Sequence, residues 1–526
     1  MFSIGLLNWA QVLLSSQMES LLKSAARRTM RLMSAPLSAL LLAASFAAAR
    51  SEETPKESWI GIYMNGHKMG YSRVNTAPAE YLGKPGLKIT STSVTRLEML
   101  GNKISQDTDT LTYTNKDHQP VHQEYKIVSN GSVMTLKADY KPGKIIVTMN
   151  SGGSTSTKEV VVPPGVNLIA DSSDPAQGQK MHLGQKTTYY YLNPLTISLD
   201  KTDLSVDASE QVKLNGKAQQ VFRVSATTPF GKMLSWETPD GEMLKGEMSL
   251  GAFSMLMFQE TKPVAMDMAA KPPAFEVAGA AAASPGYTPP SDFALATAVT
   301  LEKPIENPRN ATSVSLEVSG IDDKSLILSD KRQDMAPISS KPNTYALHIN
   351  ASRFDAAKSA TLPIAEPSVQ KELQNAPYLE TTDPELRQTA KELKGTDTNA
   401  YRVATRIRQW VYAHMKPDYS MGVPRSCSEV YKKRRGVCRD YATLFAGIAR
   451  AAGIPTKVVG GVVYAEGKFF YHAWAECWVG EWVPFDSTMP NDFVDATHIK
   501  FTQGDVTDMY KIAGVVGKLK VNVLAD

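Results

Sequence analysis

Alternation of apolar and polar residues dominates the first half of the chain. Trp59-Ile-Gly-Ile-Tyr-Met64, the turn signal Asn65-Gly66 and Met69-Gly-Tyr-Ser-Arg-Val74 read as strand, turn and strand. Lys144-Ile-Ile-Val-Thr-Met149, Ala218-Gln-Gln-Val-Phe-Arg-Val-Ser225 and Lys232-Met-Leu-Ser-Trp-Glu237 keep the period of two, and Asp240-Gly241 punctuates it before Met243. Helical spacing is scarce between residues 51 and 262, so this β-rich stretch is expected to form a large antiparallel sheet, sandwich-like or a partly closed barrel. It holds no cluster of catalytic residue types, which points to support or partner binding. Residues 263–292 break the pattern: Lys271-Pro-Pro-Ala, the alanine run 280–283 and Thr288-Pro-Pro cannot bury a core and read as an Ala/Pro-rich linker. Alternation returns in Ser313-Val-Ser-Leu-Glu-Val318 and Thr344-Tyr-Ala-Leu-His-Ile349, a small β segment within 293–365.

The remainder, 366–526, is mixed. Asp383-Pro384-Glu385 is an N-cap, a first-turn proline and an acidic first turn, and Gly395 stops that helix. A second helix is expected from about Asn399 to His414, with Val403, Ile407, Trp410, Val411 and His414 on one face; His414 is then a packed or rim histidine. Ser426 with Glu429 three residues on reads as a capping box. After Gly436, the residues Leu444, Phe445, Ile448, Ala449 and Ala452 recur as a buried helical stripe, which Gly453 and Pro455 end.

Cys438 therefore falls in the first turn of a buried helix. The unpaired N–H groups there, with Arg439 alongside, are expected to lower the thiol pKa. A small apolar core residue is the usual fate of a lone cysteine, and for Cys438 taken alone the two readings weigh equally. Its partners separate the two readings. In Phe470-Tyr-His472-Ala-Trp-Ala-Glu-Cys-Trp478 the alternation sets His472, Trp474 and Glu476 on one face and Cys477 on the other. The chain returns as Trp482-Val-Pro-Phe-Asp486. His472 and Asp486 share a face only across an odd connection, so a three-residue loop, Val479–Glu481, is expected, with Asp486 opposite Trp474 and diagonal to His472. Cys438, His472 and Asp486 then suit nucleophile, general base and orienting carboxylate.

Composition narrows the setting. At 526 residues several domains are expected. The formal net charge is +4, and most of the excess lies before residue 50, so the near-neutral body is not that of a nucleic-acid binder. Basic Lys23 to Arg31, the apolar stretch Leu37–Phe46 and Ala47-Ala48-Ala49 have the order of an export signal over residues 1–50, with Met30 an alternative start. Leu37–Phe46 is short for a membrane span, so a chain exported to the periplasm or exterior, without a stable span once the signal is removed, is expected. Three cysteines and no CxxC pair argue against a disulfide framework or a zinc site, although a Cys427–Cys477 disulfide would suit an exported chain and spare Cys438. No metal or other cofactor is implied, and nothing in the pattern bears on oligomeric state.

Gly436-Val-Cys438-Arg-Asp-Tyr-Ala, Arg450-Ala-Ala-Gly-Ile-Pro455, His472-Ala-Trp-Ala-Glu476 and Trp482-Val-Pro-Phe-Asp486-Ser-Thr488 resemble, in order and spacing, the motifs of bacterial transglutaminase-like domains. The resemblance covers about Tyr378 to Thr488. It implies a papain-like α+β fold in the C-terminal domain, a triad of Cys438, His472 and Asp486, and attack on an amide carbonyl of a protein or peptide through an acyl-thioester. Hydrolysis, deamidation and amine transfer all occur among such proteins. So does loss of activity, and the alternative is a non-catalytic envelope protein that uses this fold as an interaction module.

Overall fold

The computed structural model describes residues 56–524 except 65, 100–101, 171–180, 230, 251–252, 279–296 and 421. The expected export segment lies outside the described residues, as does the linker from residue 279 onward.

Residues 56 to 277 build one 15-stranded sheet in which every strand pairs antiparallel with its neighbours. Its strands bury every second side chain, as in Lys144–Ser151, where Ile145, Val147, Met149 and Ser151 point inward. Two meanders meet in the middle of the sheet. Lys56–Met64 lies beside Phe253–Glu260 with Trp59 opposite Glu260, so the strands up to residue 161 extend one way and those after 186 the other. Order continues past residue 262 into the expected linker. Lys262–Met266 is a single helical turn, and Phe275–Val277 pairs with Val212–Leu214, because Phe275 and Val277 find an apolar cluster at Trp236 and Leu244.

Ser313–Ser319, Gln333–Pro337 and Thr344–Asn350 form a small antiparallel sheet that Lys520–Val523, from far along the chain, completes. Val299–Thr300 leaves this group and pairs instead with Lys468 and Phe469 of the C-terminal sheet. The helices follow their caps. Asp383 accepts from the N–H groups of Glu385 and Leu386 at the head of Pro384–Lys394, and Asn399 does the same for Arg402 in Ala400–His414. Ser426 caps Cys427–Lys433, but Glu429 does not complete a capping box. Its carboxylate reaches Ser132 of the large sheet at 3.1 Å and Lys433 at 2.7 Å.

The helix Cys438–Ala451 packs on a sheet ordered Val299–Thr300, Lys468–Trp478, Thr456–Ala465, His498–Gly504, with Trp482–Phe485 also paired to Lys468–Trp478. The large sheet closes against this domain. Ile127, Met134, Leu136, Val147 and Met149 share one apolar core with Tyr378, Val423, Cys438 and Ala442. No helix of the described residues is long and apolar enough to cross a membrane.

Gly461 stands opposite His472 in the ladder, where a Cβ would lie 2.0 Å from the Ile499 carbonyl oxygen and 2.6 Å from the Trp474 ring. Gly461→Ala must push the His498–Gly504 strand aside, and is expected to cost about 1–3 kcal/mol in urea unfolding.

Candidate active site

The cysteine helix starts from a buried electrostatic lock. Asp440 accepts the Val437 N–H at 2.9 Å and pairs with Arg425 at 3.0 Å, both side chains fully enclosed. Burial alone would raise the Asp440 pKa; Arg425 and Arg439 outweigh it and hold the carboxyl below its usual range. A Cβ at Gly436 would sit 2.4 Å from Asp440 Oδ2 and 2.5 Å from Arg425 Nη2, so only glycine fits there. Cys438 is the first helical residue, and the backbone N–H groups of Ala473 and Arg439 are directed at its sulfur. The expected low thiol pKa is corrected here. Complete burial pushes the thiol well up, and those N–H groups with the Arg439 charge only partly oppose it. The sequence shows the helix start but not that the thiol would be shut off from water.

His472 precedes Ala473 on the strand Lys468–Trp478. The connection to the next strand has three residues, Val479–Glu481, with Trp478 opposite Trp482 and Ala475 opposite Phe485. Extending that register sets Asp486 beside Trp474, and His472 Nε2 meets Asp486 Oδ2 at 2.7 Å. His472 Nδ1 has no hydrogen-bond partner among the described residues, so it is the nitrogen left to exchange a proton. Burial pulls the His472 pKa down against the pull of Asp486, favouring the neutral ring a general base needs. Asp486 Oδ1 accepts from the Thr488 N–H at 2.8 Å and from Thr488 Oγ1 at 2.7 Å. Burial would raise the Asp486 pKa, but His472 and His498 together hold it well below the usual range.

None of the three groups opens to solvent: Cys438 and His472 are 0% exposed and Asp486 3%. Residues 416–420 and 422–425 make contacts both with the start of the cysteine helix and with the large sheet. Lys416–Pro417 bridges Arg435–Gly436, Arg439 Nη2 donates to the Val423 carbonyl at 3.1 Å, and Ser151 Oγ donates to the Pro424 carbonyl at 3.4 Å. Asn130 holds the Ser420 carbonyl, and Tyr419 lies within electrostatic reach of Cys438.

Residues outside the triad divide clearly. His414 is exposed, stacked on Trp410, and takes no part in the site. Glu476 is a buried partner of Lys500 at 2.9 Å. The disulfide weighed from the sequence is not formed: Cys427 contacts Glu380 at 2.9 Å, Cys477 contacts Thr456 at 3.4 Å, and all three cysteines are free. Sequence reasoning missed Thr488, Asp440 and, above all, His498, whose Nε2 lies 3.2 Å from Asp486 Oδ2. Thr488 and Asp440 lie inside the quoted motifs, but His498 follows an irregular loop that no periodicity carries across.

His472, Asp486 and His498 present ligand atoms within 4.8 Å of one another. Two ligands of one tetrahedral zinc stand roughly 3.3 Å apart, from bond lengths near 2.0–2.1 Å. The 2.7 Å His472–Asp486 separation is that of a hydrogen bond instead, and the set is read as proton-bearing.

A cysteine at a helix N-terminus beside a histidine–aspartate pair on an antiparallel sheet defines a papain-like α+β cysteine site. Residues 387–487 match the sequence profile of the transglutaminase-like superfamily. An uncharacterized protein of Mycobacterium leprae is 31% identical over 181 residues, which is 28% of this chain; the match spans 62% of that relative's length. Among solved structures, a candidate cysteine protease from Cytophaga hutchinsonii is 18% identical, covering 41% of this chain and 83% of that one at a TM-score of 0.29. A β-barrel-like domain of unknown function from Brucella abortus is 16% identical, covering 40% and 97%, at a TM-score of 0.30.

The depressed Asp486 pKa has a direct linkage consequence. An unfolded chain takes up that proton near the ordinary 3.8, before the folded protein does. The stabilisation is thus complete above that value and is lost as pH falls through the lower folded one. Urea unfolding between about pH 5 and pH 3 should show a shallower acid loss of stability in Asp486→Asn than in wild type.

Proposed function

We propose that this chain is an exported cysteine-dependent enzyme that attacks an amide carbonyl of a protein or peptide. The observation that carries the reading is the 2.7 Å His472–Asp486 bond, with His472 Nδ1 left unpaired beside the strand residue whose N–H faces the Cys438 sulfur. His472 takes the thiol proton as sulfur attacks the carbonyl carbon, and Asp486 steadies the imidazolium that forms. His472 then returns the proton to the leaving amine, and a thioester remains on Cys438. Water or an amine, deprotonated by His472, resolves it, giving hydrolysis, deamidation or amine transfer. Backbone N–H groups at the helix start suit the developing oxyanion. Export rests on the order of basic, apolar and small residues before position 50.

Complete burial of Cys438 favours a second reading, in which the fold serves as an interaction module of an envelope protein without turnover. Under the enzyme reading, the enclosed thiol must become accessible before a substrate carbonyl reaches it. One experiment separates the two. Incubation with a glutamine-containing protein and a labelled amine should give either amine incorporation or peptide release. Cys438→Ala should abolish the reaction, and His472→Ala should slow it by about 100-fold or more. A wild-type protein as inert as Cys438→Ala in both measurements would sink the enzyme reading.

A further inference from the structure

His498 is a buried histidine that the triad chemistry does not use. Its Nε2 lies 3.2 Å from Asp486 Oδ2, and its Nδ1 lies 3.2 Å from Asp495 Oδ1. A neutral imidazole has one donor and one acceptor nitrogen, so it would turn a lone pair toward one of these carboxylates. A ring that faces a carboxylate at each end satisfies both only when both nitrogens carry protons.

We propose that His498 is a positioning residue of the site: a protonated imidazole, wedged between Asp486 and Asp495, that fixes the Asp486 carboxylate against His472 and keeps the His472 ring uncharged at rest. The part played by His472 and Asp486 rests on the enzyme reading above; the charge state of the cluster does not.

The surroundings agree from every side. Asp495 pairs with Arg309 at 2.8 Å through Oδ2 and accepts the Thr497 N–H and hydroxyl at 2.9 and 2.6 Å on Oδ1, which favour its ionised form. From the strand Lys468–Trp478, across the intervening Thr456–Ala465, the rings of His472 and Trp474 meet His498 edge-on, at 5.9 and 5.3 Å between centroids. Arg332, just before the strand Gln333–Pro337, donates to the His498 carbonyl at 2.6 Å and fixes the backbone, while Lys500, two residues on, is engaged by Glu476 and Asp330. Burial works against a charged ring, but Asp495 and Asp486 outweigh it and raise the His498 pKa.

The charges then close. Within the chain from Arg309 to His472, Arg309 and His498 balance Asp486 and Asp495 when His472 is neutral; on its flanks Arg332 and Lys500 face Glu476 and Asp330, and Arg425 and Arg439 face Asp440. Moving the thiol proton to His472 keeps the sum at zero. Without the His498 charge this chain would be one positive charge short, and the uncompensated Asp486 would draw a proton onto His472 before any thiol supplies it. The ring would then rest as an imidazolium, unable to act as a base.

Long-range ¹H–¹⁵N correlation on the full chain, labelled at histidine nitrogens, tests this directly. From about pH 6 to about pH 8 both His498 nitrogens should show imidazolium shifts, while His472 is neutral and protonated at Nε2. His498→Gln assigns the signals and should move the His472 midpoint upward. Where activity is measurable, it should also shift the acid limb of the rate profile to higher pH, and not merely lower the rate uniformly. Asp495→Asn leaves the ring in place and serves if the first variant fails to fold; it should bring the His498 titration down into that window. A His498 that is neutral throughout, or a His472 midpoint that His498→Gln leaves in place, overturns the proposal. Failure of the enzyme reading shows separately, as amine incorporation indifferent to Cys438→Ala while the imidazole signals stay as stated.

Discussion

The hydrogen bond from His472 Nε2 to Asp486 Oδ2 forms where neither side chain meets water, and that constraint organises its surroundings. A carboxylate taken out of water must find donors or give up its charge. Asp486 finds four: His472, His498, and the N–H and hydroxyl of Thr488. His498 in turn requires Asp495, and Asp495 requires Arg309. A bond between two residues thus recruits side chains from the loop after Phe485, the approach to the His498 strand, and the 3-10 turn at Pro308–Asn310. Arg309, Asp495 and His498 matter to the site although none belongs to the triad.

The same enclosure sets the state of the thiol. A helix N-terminus favours thiolate when solvent can share in the stabilisation. Cys438 lies in a core shared with the large sheet and Val423, and its desolvation cost exceeds what two N–H groups and one arginine return. The N-terminal sheet is therefore part of the electrostatics of the site. Its hairpins supply Asn130 and Ser151 to the Ser420 and Pro424 carbonyls, and Ser132 to the helix that follows. A reading that treats the sheet as mere support misses this contact, since no catalytic residue type marks it.

Local features were legible because their causes are local. The caps at Asp383, Asn399 and Ser426 lie within three residues of the groups they satisfy. Strand alternation in Lys144–Ser151 needs one buried face and nothing more. The three-residue connection at Val479–Glu481 followed from parity alone: a one-residue change would turn Asp486 away from the face that bears His472. What stayed illegible depends on distant chain. Phe275–Val277 looked like linker because its partner strand lies more than 60 residues earlier. Glu429 looked like half of a capping box, but Ser132, 297 residues away, took its carboxylate.

By itself the sequence determined the class of site. Three residue types in register, with a helix start before one and a hairpin joining the other two, follow from periodicity and spacing. The tertiary structure decided the working state of that site, because charge balance and solvent access are sums over everything packed nearby. It decided that the thiol is covered, that the carboxylate serves two histidines, and that the second histidine must carry the compensating charge. No window of sequence contains Arg309, Asp486 and His498 together. The fold brings them within hydrogen-bonding and ion-pair distance of their partners and leaves no water to stand in for any of them.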